Sequence, residues 1–343
     1  MTDIADFIMG IPKAELHLHI EGTLEPELKF ELAQRNGLTL PYTDVEAMKS
    51  AYDFKDLPSF LAQYYEGMGV LITEDDFFDL AVAYFERVAA QNLVYVEMFF
   101  DPQAHTTRGI DFATVIHGLR RAQDAAMERH GIKSELIMCF LRDMSPQSAS
   151  ETLRKAEPFK DWILGVGLDS DEKNNPPTKF REVFDEARAE GYKLTMHCDV
   201  DQDDSVLHIW ECLNDIGVDR IDHGINAIED TDLIAEIKAR RLGVTTCPIS
   251  NSFVTDGTKA TVIKHLLDAH VLVTVNSDDP AYFPGYVADN LLVAQREASL
   301  TSGEVEQLVR NAFEASWLED SDRQRYLEQV DAFVSAWRST SPT

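Results

Sequence analysis

Basic residues are scarce in this chain: 31 lysines and arginines stand against 60 aspartates and glutamates, a formal net charge of −29 over 343 residues. Such a surface repels phosphate backbones and anionic lipid at long range, so nucleic acid is not an expected partner. Cysteine is sparse too. Cys139, Cys198, Cys212 and Cys247 have no C-x-x-C spacing and are too few to frame a fold of this length, so reduced thiols are expected. No apolar run reaches the roughly 18 to 20 residues that a membrane span requires, and Met1–Gly10 carries acidic residues but no basic leader region. A cytoplasmic chain with no membrane partner is the expectation. No segment rich in Pro, Gly or Ser divides the sequence and no repeat of fixed period is visible, which argues against separate modules or a solenoid. The sequence carries no signal for an oligomeric state.

With 44% apolar and 27% charged residues, the composition is that of a globular chain with a substantial core. Eight short apolar or β-branched runs end in polar residues: Ala14–Glu21, Val94–Pro102, Ser134–Asp143, Ile163–Ser170, Lys193–Asp199, Arg220–Ile225, Val244–Ser250 and Leu272–Asp279. Helix-like stretches such as Pro177–Glu190, Val206–Ile216, Thr231–Arg241 and Ala260–Ala269 lie between the later ones. Alternating strand and helix predicts a parallel sheet, and eight repeats predict an α/β fold of the (β/α)8 TIM barrel type, in one domain. One interval is too long for a plain βα unit. The segment 23–91 carries helical patterns and the aromatics Tyr52, Phe54, Phe60, Tyr64 and Tyr65. Because it follows a strand's carboxyl end, it is expected over the catalytic face, as a lid or as extra helices that those aromatics pack together. A helical tail is expected over 301–343.

The first strand ends Glu15-Leu16-His17-Leu18-His19-Ile20-Glu21, and strand period two puts both imidazoles on one face. A bare H-x-H is weak evidence of a metal site. Strand five ends His197-Cys198-Asp199, strand six Asp222-His223-Gly224, and strand eight Asn276-Ser277-Asp278-Asp279-Pro280. Each cluster could be a loop cap or a turn taken singly. In a barrel, however, all these ends meet on one face, where three histidines and a carboxylate can surround a metal with a water position left open. His223 and Asp279 then flank the water. Alternation points the Cys198 thiol away from the face that His197 uses, and His105, His117, His130, His208, His265 and His270 fall in loops or helical stretches and read as structural.

These residues resemble the adenosine and adenine deaminase family of metal-dependent amidohydrolases. The similarity rests on Pro12-Lys13-Ala14-Glu15-Leu16-His17-Leu18-His19 with Glu21-Gly22-Thr23, the Asp222-His223-Gly224 triplet, Cys247-Pro248-Ile249-Ser250-Asn251, and Asn276-Ser277-Asp278-Asp279-Pro280, over nearly the whole chain. The resemblance implies one zinc, or iron in its place, held by His17, His19, His197 and Asp278. It further implies that His223 orients or deprotonates the attacking water and that Asp279 hydrogen-bonds a purine at its imidazole edge. Glu21-Gly22-Thr23-Leu24-Glu25-Pro26, Phe99-Phe100-Asp101-Pro102-Gln103 and Gly167-Leu168-Asp169-Ser170 are similar to the adenine-specific branch. Glu21 and Ser170 stand where adenosine deaminases commonly carry a shorter aspartate and a glycine, so these longer side chains are expected to take the space of a ribose.

The sequence departs from the family after His197, where the usual His-Ala-Gly-Glu is replaced by His197-Cys198-Asp199-Val200-Asp201. Val200 stands in the column of the proton-donating glutamate and cannot exchange a proton. Asp199 shares the inward parity of His197 and is expected to serve as the acid, with Asp201 second, unless these aspartates form only a solvated acidic loop. The function expected is hydrolytic deamination of a 6-aminopurine, adenine first. The alternatives are an N6-substituted adenine, adenosine, a metal-dependent phosphoesterase or amidase, and a purine-binding protein that keeps its metal but has lost activity. Strand four ends in Asp169-Ser170 with no lysine, which counts against the two-metal hydrolases of this fold.

Overall fold

The computed structural model describes residues 4–198 and 202–340, in which eight parallel strands pair in sequential order. They are β1 (Lys13–His19), β2 (Leu93–Phe100), β3 (Lys133–Leu141), β4 (Ile163–Asp169), β5 (Lys193–Cys198), β6 (Arg220–His223), β7 (Gly243–Thr246) and β8 (Leu272–Val275). Helices join them, and the ring closes where Leu18 bridges Asp278 in parallel. There the His19 N–H donates to Asp278 O at 3.0 Å and the Asp278 N–H donates to His17 O at 3.2 Å. The architecture is the (β/α)8 barrel that the strand count predicted. Its strands are buried on both faces, as parallel strands under covering helices must be, which is why they read as apolar runs and not as alternation.

Strand starts agree with the sequence expectation closely, whereas every expected strand end runs past the ladder, by one or two residues in the first six strands and by four in the last two. The expected first strand ran through Glu21, the seventh through Ser250 and the eighth through Asp279, whereas the ladders stop at His19, Thr246 and Val275. Glu21–Thr23 winds into a 3-10 turn. Pro248 opens the helix Pro248–Val254, where its fixed φ suits a first turn and its missing N–H costs nothing. Past β8, Asp278 adopts a left-handed φ of +64° and cannot continue a strand.

Within 23–91 lie the helices Pro26–Arg35, Val45–Ser50, Leu57–Gly67 and Glu74–Ala89. Asp56 with Ser59 and Thr73 with Asp76 form reciprocal caps that start the last two. The segment's aromatics reach across to the chain beyond β8: Tyr52 stacks on Tyr282 at 5.0 Å, and Phe60 meets Phe283 at 4.6 Å. The helix Ser302–Ala315 packs on β8, β1 and β7 and donates from Asn311 Nδ2 to Val273 O at 2.9 Å. The last helix, Asp320–Thr340, brings Phe333 and Trp337 against Phe7. No helix among the described residues is long and apolar enough to cross a membrane.

Candidate functional site

His17 and His19 on β1, His197 on β5, His223 at the end of β6, and Asp278 and Asp279 beyond β8 are all buried at the carboxyl end of the barrel. His17 Nε2 lies 3.2 Å from Asp278 Oδ1, and His19 Nε2 lies 3.6 Å from the same oxygen. His19 Nε2 and His197 Nε2 are 3.0 Å apart, and His223 Nε2 is 3.9 Å from Asp278 Oδ2. Donor atoms of His17, His197, His223 and Asp278 all fall within 4.8 Å of one another. His19 groups by the same measure with Asp278 and Asp279, and also with Asp101 and Asp169. Thus the histidines named from sequence converge around one carboxylate, with His19 shared between that centre and a second pair of acids.

Buried hydroxyls set the tautomer of His17. Asp222 Oδ2 accepts from the Thr195 hydroxyl at 2.6 Å and Asp222 Oδ1 from the Thr245 hydroxyl at 3.0 Å. With its own proton so committed, Thr245 Oγ1 accepts from His17 Nδ1 at 2.8 Å. The proton therefore sits on Nδ1, and His17 Nε2 is a bare lone pair, buried without a hydrogen-bond partner. Burial pushes His19 and His223 down to about 4 and His197 well below the ordinary imidazole range. These three rings are held neutral, as ligation and proton acceptance both require.

The supports of these groups come from distant parts of the chain. Glu15 accepts the Ser277 N–H at 2.9 Å, the Ser277 hydroxyl at 2.5 Å and the Tyr84 hydroxyl at 2.7 Å, which anchors the turn carrying Asp278. Arg142, fully buried after β3, donates from Nη1 to His197 O at 2.8 Å and faces Glu172 at 3.4 Å. His208 Nδ1 holds that glutamate from the other side at 2.5 Å. Three of the non-glycine residues with left-handed φ lie here, Ser170 (+74°), His223 (+53°) and Asp278 (+64°). Such backbone is costly and persists where its surroundings enforce it.

A pocket opens above the histidines, walled by Phe60, Tyr64 and Tyr65 from Leu57–Gly67 and by Asp279 and Ser170. Ser170 Oγ accepts from Tyr65 Oη at 2.8 Å. Glu21 does not line the pocket directly; it lies beneath, with Oε1 accepting from the Asp101 N–H at 3.1 Å and meeting His105 Nε2 at 2.9 Å. Asp199, Val200 and Asp201 lie outside the described residues. Two pocket carboxyls escaped sequence reasoning, Asp101 and Asp169. Burial, then the carboxylate of Asp169, pushes Asp101 well up, and burial pushes Asp169 to about 7. Burial and the neighbouring Asp278 likewise raise Asp279. His105 and His208, read as structural, do hold carboxylates in place. Cys198 turns outward as expected, 3.6 Å from the sulfur of Cys212.

The adenosine deaminase family matches residues 12–333. The chain belongs to the adenosine deaminase family. As a member it is a metal-dependent amidohydrolase. It is 52% identical to an uncharacterized deaminase of Schizosaccharomyces pombe, over 98% of this chain and all of that protein. It is 50% identical to an adenine deaminase of Streptomyces coelicolor, over 96% of this chain and 97% of that one. Among solved structures, the adenine deaminase of Arthrobacter aurescens superposes with a TM-score of 0.92 at 41% identity, over 95% of this chain and all of that chain.

Proposed function

We propose that this member of the adenosine deaminase family is an adenine deaminase, converting adenine and water to hypoxanthine and ammonia at one divalent metal. Adenine deaminases similar along nearly the whole chain support the substrate. The observation that carries the metal is the partnerless Nε2 of His17, 3.2 Å from Asp278 Oδ1 with His19 and His197 beside it. A buried imidazole lone pair turned on a carboxylate is unfavourable without a cation between them, and a nitrogen and oxygen donor set suits zinc, or iron in its place. His17, His19, His197 and Asp278 would hold it. When bound, the metal acts as a Lewis acid and brings the pKa of a water near neutrality.

The remaining steps belong to side chains. His223 stands next to His197 in the barrel, paired through Cys198, and takes the proton of the attacking water at Nε2. Asp279 hydrogen-bonds the imidazole edge of the base and fixes C6 over the water. As the water oxygen bonds to C6, a proton reaches N1 from Asp199, two residues past His197, with Asp201 second. His223 then returns its proton to N6, the C6–N6 bond breaks, ammonia leaves, and the proton of the C6 hydroxyl passes back to the acid as the carbonyl forms. Ser170, and Glu21 beneath the wall, take the space of a ribose, and the segment 23–91 covers the pocket within a single domain, 1–343. The partner is a small purine and not nucleic acid.

The test offers zinc-loaded protein adenine, adenosine and N6-methyladenine and measures ammonia or methylamine release. Adenine should give the highest kcat/KM. Equal or better efficiency with adenosine overturns the free-base reading, and faster release of methylamine assigns the N6-substituted base in its place.

A further inference from the structure

The two pocket carboxyls have no task in that mechanism. Asp101, immediately after β2, is 1% exposed, and Asp169, the last residue of β4, is 3% exposed. Both line the pocket, and Oδ1 of each is buried with no partner. Placing one buried carboxyl against another is unfavourable, so an ordinary wall would not contain them. The contact that ties residue 101 to Glu21 is made by its backbone N–H; the Asp101 side chain is hydrogen-bonded to Asp169, whose Oδ2 lies 3.5 Å from His19 Nδ1, and the Asp101 Oδ1 is left free toward the pocket.

Beside this pair, Tyr65 Oη donates to Ser170 Oγ at 2.8 Å, and burial keeps the phenol well above its ordinary pKa, hence a donor. A serine hydroxyl that receives one hydrogen bond still has its own proton to give. The wall therefore offers an acceptor at Asp101 and a donor at Ser170. Free adenine carries the complement on one edge, an N–H at N9 and a lone pair at N3. A nucleoside or nucleotide has a sugar at N9 and no proton.

We propose that Asp101 accepts the N9–H of adenine while the Tyr65-oriented hydroxyl of Ser170 donates to N3, which makes Asp101 the residue that admits the free base and refuses N9-substituted purines. A carboxyl oxygen accepts whether or not its partner oxygen carries a proton, so the assignment stands on geometry. It rests on the adenine deaminase reading and adds an origin for its specificity. Filling space disfavours a ribose; an acceptor left unpaired disfavours every N9-substituted base, however small the substituent.

The test compares kcat/KM for adenine and 9-methyladenine in the full-length, metal-loaded protein. Wild type should prefer adenine by about a hundredfold or more, as sites built to bond a substrate N–H do. Asp101→Ala should lower that ratio by about tenfold to a hundredfold, whereas Asp101→Asn, which keeps an acceptor oxygen, should retain most of it. Should Asp101→Ala fail to fold, Asp101→Leu removes the acceptor and keeps the bulk, with the same fall expected. The ratio is internal to each protein, so a merely structural role for Asp101 would not move it. An unchanged ratio in the alanine or leucine variant, or no preference in wild type, overturns the inference. Wild type that leaves adenine untouched overturns the deaminase reading itself, a separate outcome.

Discussion

Gly22→Ala tests the placement of Asp279 with a single methyl group. Gly22 sits in the 3-10 turn after β1, and its carbonyl accepts the Ala281 N–H at 3.0 Å, so the turn lies flat against the chain beyond β8. A Cβ built there comes within 2.7 Å of Asp279 Cγ and 2.8 Å of Asp279 Cα, and closer still to Oδ1, where ordinary contact begins at 3.4 Å. The φ of Gly22 is not left-handed, so the demand for glycine is close approach and not backbone freedom. A rotamer change cannot relieve a clash with Cα. The Asp279 backbone must retreat, and its carboxyl must move by more, away from the position proposed to fix the purine. A misplacement of about 1 Å costs on the order of a hundredfold in rate, while such overpacking costs roughly 1–3 kcal/mol of stability, which a chain of this size tolerates. The assay is steady-state ammonia release from adenine, normalised to bound metal, with circular dichroism and a thermal melt. The expected result is folded protein with kcat/KM per metal reduced about a hundredfold. Folded Gly22→Ala protein within threefold of wild type would refute the role given to Asp279.

His223→Ala should keep one metal per chain and lose about 10²–10⁴ in kcat, the usual worth of a general base; a metal-free variant, by elemental analysis, would make His223 a ligand. Asp199→Asn and Asp201→Asn, assayed separately with metal content checked, should show a loss of about a hundredfold in one of them, Asp199 first; near-wild-type rates in both would place the proton donor elsewhere. Lys13→Met should destabilise the fold by about 3 kcal/mol or more, because the buried Lys13 nitrogen, whose pKa burial lowers to about 7, donates to Ile8 O at 2.6 Å, Ile11 O at 2.8 Å and Met9 O at 3.2 Å, closing the helix Ile4–Gly10 onto β1. Urea unfolding of the variant without such a loss would show that the stranded carbonyls find other partners.

The barrel was legible because each strand is buried on both faces, so that stretches such as Leu93–Phe100 in β2 and Leu136–Leu141 in β3 stand out as apolar runs between polar helices. Where strands stop was not legible, since Cys247-Pro248-Ile249 and Asn276-Ser277-Asp278 continue the apolar or small-residue pattern while their backbones leave the ladder. The deciding forces there are local to the turn, Pro248 at the start of a helix and a left-handed φ at Asp278. The histidines were legible for the opposite reason. A polar imidazole closing an apolar strand draws notice, and period two is enough to bring both His17 and His19 beside Asp278.

What stayed hidden joins residues with no spacing in common. Asp222 hydrogen-bonds toward His17 through Thr245, on another strand, and a threonine in a strand is ordinary β chemistry until its hydroxyl is seen to bridge two others. Arg142, Glu172 and His208 follow three different strands, and no spacing in the sequence relates them; only barrel closure turns them into a buried brace on the carbonyl of His197. Asp101 and Asp169 belong to the same class. The sequence Phe99-Phe100-Asp101-Pro102 looks like a strand handed over to a turn, in which aspartate before proline needs no further reason. The reason appears when β2 and β4 bring that carboxyl against another in the buried wall of the pocket. A buried carboxyl that costs stability and keeps one oxygen without a partner is the kind a binding site retains, so the most informative residues in the pocket wall are those whose sequence context stood out least.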